Sequence, residues 1–384
     1  MKITGIMCEY NPLHLGHKKQ MTQIRQIQGQ DSGIVCLMSG NFVQRGAPAI
    51  LDKSLRAKAA ILSGADLVLE LPATVSLSSA EGFAAGGVSI LAPFCDTLCF
   101  GAENADKEAL LKVAKALLEP SFSEALREEL DKGLSFPAAR QAALTAMGID
   151  GDLVTQPNNI LAVEYCKAML QQGCAMEPLP ITRCGSYHDT LPDPENPSAT
   201  ALRQLLQAGD GWESYVPQEA VDCFRDAPLH TVQAGERAIL YRLRSMTDQE
   251  FEALPYGSEG LWRKLMHAAR KEATLEEILT AVKSKRYTRT RLDRMVMCAF
   301  LGISLQDLME KPPYVRVLAF NDRGREILKK ARQFGVFPNA GQQMDHPYQQ
   351  LENRWEDYYG LFSREIPGVA GIEPDRRVFY HTTK

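Results

Sequence analysis

The first hundred residues alternate between short apolar runs and longer stretches that repeat apolar residues at helical spacing. The apolar runs are ITGIMC (3–8), GIVCLMS (33–39), ADLVLEL (65–71) and DTLCFG (96–101). Such runs are typical of strands buried on both faces of a parallel sheet, because every side chain then meets apolar neighbours. The helical stretches between them supply the crossovers that parallel strands need. The pattern predicts an α/β fold in which helices cover both faces of a parallel sheet.

The rest of the chain divides into an insertion, the end of the sheet and a helical region. Residues 105–147 carry the caps and stops of three consecutive helices, and PNNILAVEYCKAMLQQG and CAMEPLPITR then predict a helix and a strand. From about residue 213 the pattern is almost entirely helical. We therefore predict a Rossmann-like parallel-sheet domain over residues 1–212, with a helical insertion at about 105–147, and a mostly α-helical domain over residues 213–384.

The composition excludes several classes of protein. With 45% hydrophobic and 23% charged residues the chain is typical of globular proteins, and no apolar run reaches the ~18 residues of a membrane-spanning helix. The N-terminus is typical of a first strand rather than of a signal peptide, so we expect a cytoplasmic protein without a membrane partner. The nine cysteines are scattered, which favours reduced thiols. Because the net charge is −4, any nucleic acid would need a local basic patch.

The segment HLGH places two histidines where the first predicted strand leads into its helix. Free backbone N–H groups and the positive end of the helix dipole make this position an anion site. Gly16 lets a ligand approach the backbone, and His14 and His17 are spaced to share one helical face. Two imidazole donors on one phosphate stabilise the charge that develops in phosphoryl transfer. The alternative is two surface histidines near a turn; we predict that His14 and His17 are catalytic.

A second element, SATALR, begins a short helix after the last strand of the predicted sheet. Ser198 and Thr200 are candidate helix caps or phosphate donors, and Arg203 follows on the next turn. A guanidinium and hydroxyls in this layout can hold the far phosphates of a nucleotide. We therefore predict Ser198, Thr200 and Arg203 as phosphate contacts.

HLGH followed by SATALR resembles the HIGH-type nucleotidyltransferase superfamily, whose members attack the α-phosphate of ATP and expel pyrophosphate. More closely, the chain resembles the bacterial tRNA(Met) cytidine acetate ligase family through, in order, EYNPLHLGH, SGNFVQRGAPAILDKSLRAKAAILSGADLVLELP, SSAEGFAAGGVSIL, FGAE, PNNILAVEY and RCGSYHD. The resemblance covers most of residues 3–205 and extends more loosely into KRYTRTRLDR and VRVLAFNDRGREIL. It implies a nucleotidyltransferase that makes acetyl-adenylate from acetate and ATP and acetylates the exocyclic amine of the wobble cytidine of elongator tRNA(Met).

The resemblance also implies the residues that contact ATP. They are Met7, Cys8, Glu9, Tyr10, Asn11, Pro12, Leu13, His14, Leu15, Gly16, His17, Lys18, Lys19 and Gln20, together with Gly101, Asn158 and Arg183. Leu13 and Leu15 depart from the aromatic residue and the asparagine that the family commonly has there. Asn158 has the alternative role of a helix cap, and Arg183 that of a solvated strand end.

Other polar residues lie close to these segments in the sequence. Gln44 and Arg45 follow the second strand and are candidate contacts to acetate or the tRNA. His188 and Asp189 form either a polar pair in the cleft or an ordinary loop hydrogen bond. No metal-ligand constellation is visible, so no metal site is predicted, and Mg²⁺ is expected as an ion carried by the nucleotide.

RNA requires positive charge together with stacking surface. Candidate tRNA contacts are Lys283, Lys285, Arg286, Arg289, Arg291 and Arg294 in KSKRYTRTRLDR, where Tyr287 lies among the charges. A second basic group comprises Arg323, Arg325, Lys329, Lys330 and Arg332. The alternative for both groups is a solvated helical face.

We thus expect an ATP-dependent acetate ligase whose partners are elongator tRNA(Met), acetate and ATP, with no stable protein partner implied. Two alternatives stay open. One is an adenylyltransferase that joins AMP to a small phosphorylated acceptor, and the other is an ATP- and RNA-binding module without turnover.

Overall fold

The computed structural model describes residues 1–182, 198–284, 286–366 and 370–382. Within these ranges the strands, in chain order, are β1 (Ile3–Cys8), β2 (Gly33–Ser39), β3 (Phe42–Val43), β4 (Ala47–Pro48), β5 (Leu67–Leu71), β6 (Thr97–Ala102), β7 (Glu177–Thr182), β8 (Val317–Asn321) and β9 (Phe379–His381). The described part of the chain forms one seven-stranded sheet in the order β7-β6-β1-β2-β5-β8-β9, and β3 and β4 form a separate hairpin.

The predicted parallel sheet is confirmed. β7, β6, β1, β2 and β5 are all parallel neighbours, with Ile6 of β1 opposite Cys36 of β2 and Cys99 of β6. The carboxyl ends of these strands therefore meet at one edge, the edge at which open α/β sheets bind their ligands.

The helices of the described residues cover both faces of the sheet and build the C-terminal part. They are α1 (Leu15–Gln28), α2 (Lys53–Leu62), α3 (Ala73–Ser76), α4 (Ala80–Leu91), α5 (Lys107–Ala116), α6 (Pro120–Asp131), α7 (Phe136–Ala146), α8 (Pro157–Gln172), α9 (Ala199–Ala208), α10 (Gln218–Phe224), α11 (Val232–Ser245), α12 (Asp248–Glu252), α13 (Leu261–Lys271), α14 (Leu275–Val282), α15 (Arg289–Leu301), α16 (Leu305–Met309), α17 (Asp322–Ala331) and α18 (Pro347–Gly360). Short 3-10 turns lie at Gly151–Val154, Glu213–Tyr215 and Glu373–Asp375. The predicted three-helix insertion corresponds to α5, α6 and α7. Among the described residues, no helix combines the length and the apolarity that crossing a membrane requires.

The side chains of β2 show why the central strands are apolar throughout. Val35 and Leu37 pack into the core on one face, with α4 and α8. Ile34 and Cys36 point to the opposite face and pack with α1 and α2. Alternate side chains of one strand thus enter two different cores, which is the arrangement expected of a sheet covered on both faces. A third apolar cluster joins α11, α13, α14, α15 and α18 in the C-terminal part.

Two strands of the sheet come from the region for which the sequence predicts helices. β8 pairs antiparallel with β5, and β9 pairs parallel with β8. The expectation of an almost entirely helical chain after residue 213 is wrong at these two places, because runs of five and three residues are too short for periodicity to separate strand from helix. The hairpin β3–β4 is also absent from the sequence prediction. The division of the chain at residue 212 stays a prediction, and the sheet draws two strands from beyond it.

A buried ionic cluster anchors the C-terminal segment to the sheet. It consists of Asp52, Lys53, Glu70, Glu356, Glu373 and Arg376. The Lys53 Nζ lies 2.9 Å from Glu70 and from Glu356 and 3.2 Å from Glu373, and only 2% of its side chain is exposed. The Arg376 guanidinium donates bidentately to Asp52 at 2.8 and 2.7 Å. Elements far apart in sequence are thereby joined at the N-terminus of α2.

Candidate active site

The two histidines of HLGH form the N-terminal cap of α1. His14 is the N-cap residue, and its Nδ1 accepts a hydrogen bond from the Gly16 N–H at 3.2 Å. The Nδ1 of His17 accepts from the His14 N–H, also at 3.2 Å. The rings stack with their centroids 3.7 Å apart. This is the reciprocal geometry of a capping box, built here from two imidazoles.

This cap fixes the tautomer of both rings. A ring nitrogen that accepts a hydrogen bond carries no proton, so in each neutral imidazole the proton is on Nε2. His14 is buried, with 3% exposed, and His17 is half-buried. The helix start therefore sets the orientation of the rings and makes each Nε2 a donor, which is the property that contact with an anion requires.

A buried arginine holds the loop that leads to the histidines. The guanidinium of Arg56 donates to the carbonyls of Glu9 (2.6 Å), Ser39 (3.0 Å) and Gly40 (2.6 Å), which follow or end β1 and β2. It also donates to Leu51 at 2.8 Å and has no exposed surface. Carbonyls at the carboxyl ends of two central strands are thus satisfied inside the protein, and the backbone before His14 is fixed. Sequence reasoning missed Arg56, because only the folded chain brings its acceptors together.

The histidines open onto a cavity of about 240 Å³, which we call the histidine cavity. Of the predicted ATP contacts, those that line it are Met7, Cys8, His14, Gly16, His17, Lys19, Gln20, Gly101 and Asn158. Lining residues that the sequence did not single out are Gln23, Phe100, Leu161, Tyr165, Ile181 and Thr182. Phe100 and Tyr165 are in contact, with ring centroids 5.4 Å apart, and provide an apolar wall. Both lie in segments of family resemblance, FGAE and PNNILAVEY, but an apolar residue in a strand or helix gives no sequence signal of ligand contact.

Other members of the predicted segment have different surroundings. Tyr10, Pro12 and Leu13 are buried, and the Tyr10 hydroxyl lies 3.3 Å from the Cys36 sulfur. Leu15 begins α1, and Lys18 forms an ion pair with Glu219. Glu9 and Asn11 line a neighbouring cavity described below. These residues shape or support the loop, and their predicted contact with ATP stays a prediction. Arg183, His188 and Asp189 lie outside the described residues.

Asn158 is held by a carboxylate that sequence reasoning missed. Glu103, two residues after Gly101, accepts from the Asn158 side chain at 2.6 Å and from the backbone N–H groups of Asn158 at 3.2 Å and Asn159 at 2.7 Å. A carboxylate at a helix N-terminus satisfies free N–H groups and interacts favourably with the dipole. Asn158 is therefore in the first turn of α8 rather than its cap, and Glu103 orients its amide.

The SATALR residues line a second cavity, of about 310 Å³, which we call the arginine cavity. Its polar lining is Glu9, Asn11, Arg45, Ser198, Thr200, Arg203, Gln207, His230, Thr231 and Gln233. Arg203 donates to the Asn11 carbonyl at 2.9 Å and to the Thr200 hydroxyl at 3.1 Å. The structure thus brings Ser198, Thr200 and Arg203 beside the histidine loop but onto a different cavity from His14 and His17. Their role as phosphate contacts stays a prediction.

Much of the predicted basic patch is engaged within the protein. Arg286 pairs with Glu259 at 2.6 Å, and Arg289 with Glu276 at 2.7 Å and with Asp293 at 2.8 Å. Arg291 donates to the Tyr256 carbonyl at 2.8 Å, and the Arg294 guanidinium lies 5.2 Å above the Tyr256 ring. Lys283 is exposed, and Lys285 lies outside the described residues. In the second group, Arg323, Arg325 and Lys329 have acidic partners. Pairing lowers the local positive potential, and tRNA contact by these residues stays a prediction.

The described thiols are mostly buried, and they do not combine with carboxylates or histidines into a metal site. The described cysteines are free and mostly buried, and burial raises the pKa of Cys99 to about 12. In the ranges that the structure describes, no group of three or more His, Cys, Asp or Glu side chains is placed to hold a metal ion. The groups that face the histidine cavity are donors and apolar surfaces, an arrangement that fits a nucleotide.

Comparison with known proteins gives concordant matches over nearly the whole chain. Residues 1–366 match the family model described as HIGH Nucleotidyl Transferase. The tRNA(Met) cytidine acetate ligase of Clostridium novyi (strain NT) is 38% identical over 357 residues, covering 88% of this chain and 89% of that protein. The enzyme of the same name from Acetivibrio thermocellus is 35% identical over 371 residues, covering 88% and 87%.

Two solved structures are similar along their entire length. The apo form I crystal structure of Thermotoga maritima TmcAL superposes with a TM-score of 0.91 at 29% identity and covers 100% of both chains. The form II structure of the same protein, bound with alpha-thio ATP, has a TM-score of 0.88 at 28% identity, again with 100% of both chains covered.

Proposed function

The chain belongs to the HIGH nucleotidyltransferase family and, within it, to the tRNA(Met) cytidine acetate ligases; from this premise we propose how its residues activate acetate and acetylate tRNA. The enzyme is an ATP-dependent ligase that forms acetyl-adenylate. It then transfers the acetyl group to the exocyclic amine of the wobble cytidine of elongator tRNA(Met). The observation that carries the proposal is the pair of capped imidazoles at the carboxyl end of β1, each with Nε2 as its donor.

In the first step a carboxylate oxygen of acetate attacks the α-phosphorus of ATP, and pyrophosphate leaves. Acetate, with a pKa near those of side-chain carboxyls at roughly 4, is already ionised at neutral pH, so no base is needed. Catalysis then depends on positioning the reactants and on stabilising charge at the α-phosphate. His14 and His17 supply preorganised donors for that charge, held in place by the helix cap.

The adenosine occupies the histidine cavity. Phe100 and Tyr165 offer an apolar wall for the base, and Gly101 at the end of β6 permits close approach of the backbone. The Asn158 amide, fixed by Glu103, is placed to read a polar edge of the nucleoside. These assignments fit a ligand that is flat and apolar at one end and anionic at the other.

In the second step the cytidine amine forms a bond to the acetyl carbonyl carbon, the bond between this carbon and the phosphate oxygen breaks so that AMP leaves, and the nitrogen releases one proton. The mixed anhydride of acetyl-adenylate makes the carbonyl reactive without further activation of the acyl group. Mg²⁺ would be carried by the phosphates of the nucleotide and would offset their negative charge, since the donors facing the histidine cavity suit the nucleotide rather than a divalent ion. The reaction takes place in the cytoplasm, where both tRNA and ATP are found.

The test is mass spectrometry of tRNA nucleosides after the protein is incubated with tRNA(Met), ATP and acetate. N4-acetylcytidine is expected only when all three are present. Acetate-dependent exchange of pyrophosphate into ATP reports the first step alone. Product that forms without acetate, or absence of both signals in a protein that binds ATP, would contradict the proposal.

A further inference from the structure

The arginine cavity lies directly beside the histidine cavity, on the other side of one loop. Cys8 and His14 line the histidine cavity, whereas Glu9 and Asn11, which lie between them in sequence, line the arginine cavity. The loop is fixed from behind by Arg56 and from the side by Arg203. A ligand in the arginine cavity therefore lies across this loop from the proposed position of the adenylate and does not occupy it.

One part of this cavity suits a phosphate. Arg45 and Arg203 both contribute to the lining, and Arg203 is held by its bonds to Asn11 and Thr200. The helices α9 and α11 also begin here, with Ser198 and Thr231 as their N-cap residues. Two arginines together with the positive ends of two helix dipoles favour an anion.

The rest of the cavity suits a flat, polar base. Val43, Ile50 and Val232 give apolar surface. The Gln233 amide can donate and accept, and the Asn11 amide, whose oxygen already accepts the Ile50 N–H at 2.7 Å, can donate. The wall behind them is rigid, because the His230 ring stacks on Tyr359 with centroids 3.9 Å apart. Enzymes that modify a base extrude it from its stack into such a combination of apolar and amide surfaces.

The half-buried carboxylate of Glu9 favours a cytidine with its phosphate over a pyrophosphate group as the ligand of this cavity. It lies in the same lining as the arginines and accepts the Gln44 N–H at 2.9 Å through one of its oxygens. A pyrophosphate group would be repelled by this charge, whereas a carboxylate is the natural acceptor for the exocyclic amine of cytosine. The cavity thus combines a positively charged site that suits one phosphate with a carboxylate that can accept a hydrogen bond from an amine.

We propose that the arginine cavity is the acceptor site, in which the flipped cytidine of the RNA places its phosphate on Arg45 and Arg203 and its exocyclic amine on Glu9. This inference rests on the proposed function, since it assigns the second substrate of the same enzyme. It makes Glu9 the residue that distinguishes cytidine from uridine, which has a carbonyl where cytidine has the amine.

The first test is RNA binding by the full chain without ATP or acetate, using anticodon stem-loops with cytidine or uridine at the wobble position. The wild type should favour cytidine about tenfold. Glu9→Gln should reduce this ratio to about one, because the Gln amide still accepts the Gln44 N–H but can also donate to uridine. Glu213→Gln, an equal loss of charge at an exposed position, should leave the ratio unchanged. A ratio unaltered in Glu9→Gln, or no preference in the wild type, would overturn the proposal.

The second test fills the cavity. Gln233 is exposed at its rim, so Gln233→Trp should fold, and Gln249→Trp on exposed α12 is the matched control. Acetyl transfer to tRNA should fall at least tenfold more than acetate-dependent pyrophosphate exchange. An equal loss of both would mean that the cavity holds the far phosphates of ATP, and an unchanged transfer would mean that it holds neither ligand. Failure of the proposed function would appear separately, as no acetate-dependent exchange in the wild type.

Discussion

The histidine cavity and the ionic cluster both lie near the carboxyl ends of the central strands, and both concentrate polar groups there. In the ionic cluster every carboxylate is within 3.2 Å of a cation supplied by the chain itself. In the histidine cavity the imidazoles use Nδ1 to cap their own helix and face open volume. One set of polar groups is closed on itself, and the other is arranged around a space for a ligand.

This difference separates stability from function. Taking charges out of water is unfavourable, and a buried ion pair recovers that free energy only if each charge keeps its partners. Loss of one partner in the ionic cluster should therefore lower the free energy of unfolding. Loss of a donor in the histidine cavity should lower the rate of the reaction, because the donor makes its favourable contacts mainly when charge develops on the phosphate. Substitutions in the ionic cluster should thus reduce mainly the stability of the fold, and substitutions in the histidine cavity mainly the turnover.

The largest effect is expected for Lys53→Met. The substitution leaves Glu70, Glu356 and Glu373 buried around an apolar side chain, which should lower the free energy of unfolding by about 3–5 kcal/mol. Urea denaturation followed by circular dichroism measures the change. Lys107→Met is the matched control, because Lys107 pairs with Glu177 at the surface and should lose less than about 1 kcal/mol. Similar losses in both variants would show that the cluster does not anchor the C-terminal segment.

The next largest effect is expected for His17→Ala. Removing one donor to the developing charge should reduce turnover about 100- to 1000-fold, with a smaller change in ATP affinity. Acetate-dependent pyrophosphate exchange gives the turnover, and calorimetric titration gives the affinity. An unchanged rate would remove His17 from the mechanism.

Two conservative variants separate capping from catalysis at this site. Gln is favoured at the third helical position of a capping box, so His17→Gln should keep the helix start while losing most of the turnover. Asn is a favoured N-cap residue, and His14→Asn should behave in the same way. If either variant kept the full turnover of the wild type, the substituted histidine would serve only as a helix cap.

Local sequence signals were enough for the part of the site that the chain builds from one segment. HLGH shortly after an apolar run locates both histidines at a helix start, and the strand and helix of the same segment follow from periodicity. Gly101 and Asn158 were found through short blocks of family resemblance, and the structure brings both to the histidine cavity. What one strand and one helix determine, the sequence could predict.

Contacts between distant segments could not be predicted in this way. Glu103 and Asn158 are 55 residues apart, and Asp52 and Arg376 are 324 residues apart. Neither spacing leaves a periodic signal. The same limit applies to SATALR: the sequence predicts its phosphate contacts, but the direction of α9 relative to the loop depends on packing, which one sequence does not encode in any local pattern. In the same way, the basic run KSKRYTRTRLDR gives no indication that its arginines pair with carboxylates of other segments, such as Glu259 and Glu276.

The smallest effect is the dependence of stability on pH that we expect from the ionic cluster. Burial raises the pKa of Glu373 to about 7, with Glu356 and Glu70 adding to the rise and Lys53 and Arg376 opposing it. Between the ordinary carboxyl range and pH 7 the folded state therefore binds a proton that the unfolded state has lost. The free energy of unfolding should then fall as pH rises through this window, by up to about 1 kcal/mol per pH unit.

Glu373→Gln removes the titrating group while keeping its size and its hydrogen-bonding capacity. The difference in unfolding free energy between wild type and variant should shift in favour of the variant as pH rises from about 5 to about 7, and then level off. Taking the difference cancels groups common to both proteins, including His230, whose pKa burial lowers and whose contribution has the opposite sign. Glu119→Gln, at an exposed helix start, should give a difference that is flat across the same range. If the difference in unfolding free energy were independent of pH for Glu373→Gln as well, the cluster would keep all its carboxylates ionised, and its contribution to stability would not depend on pH.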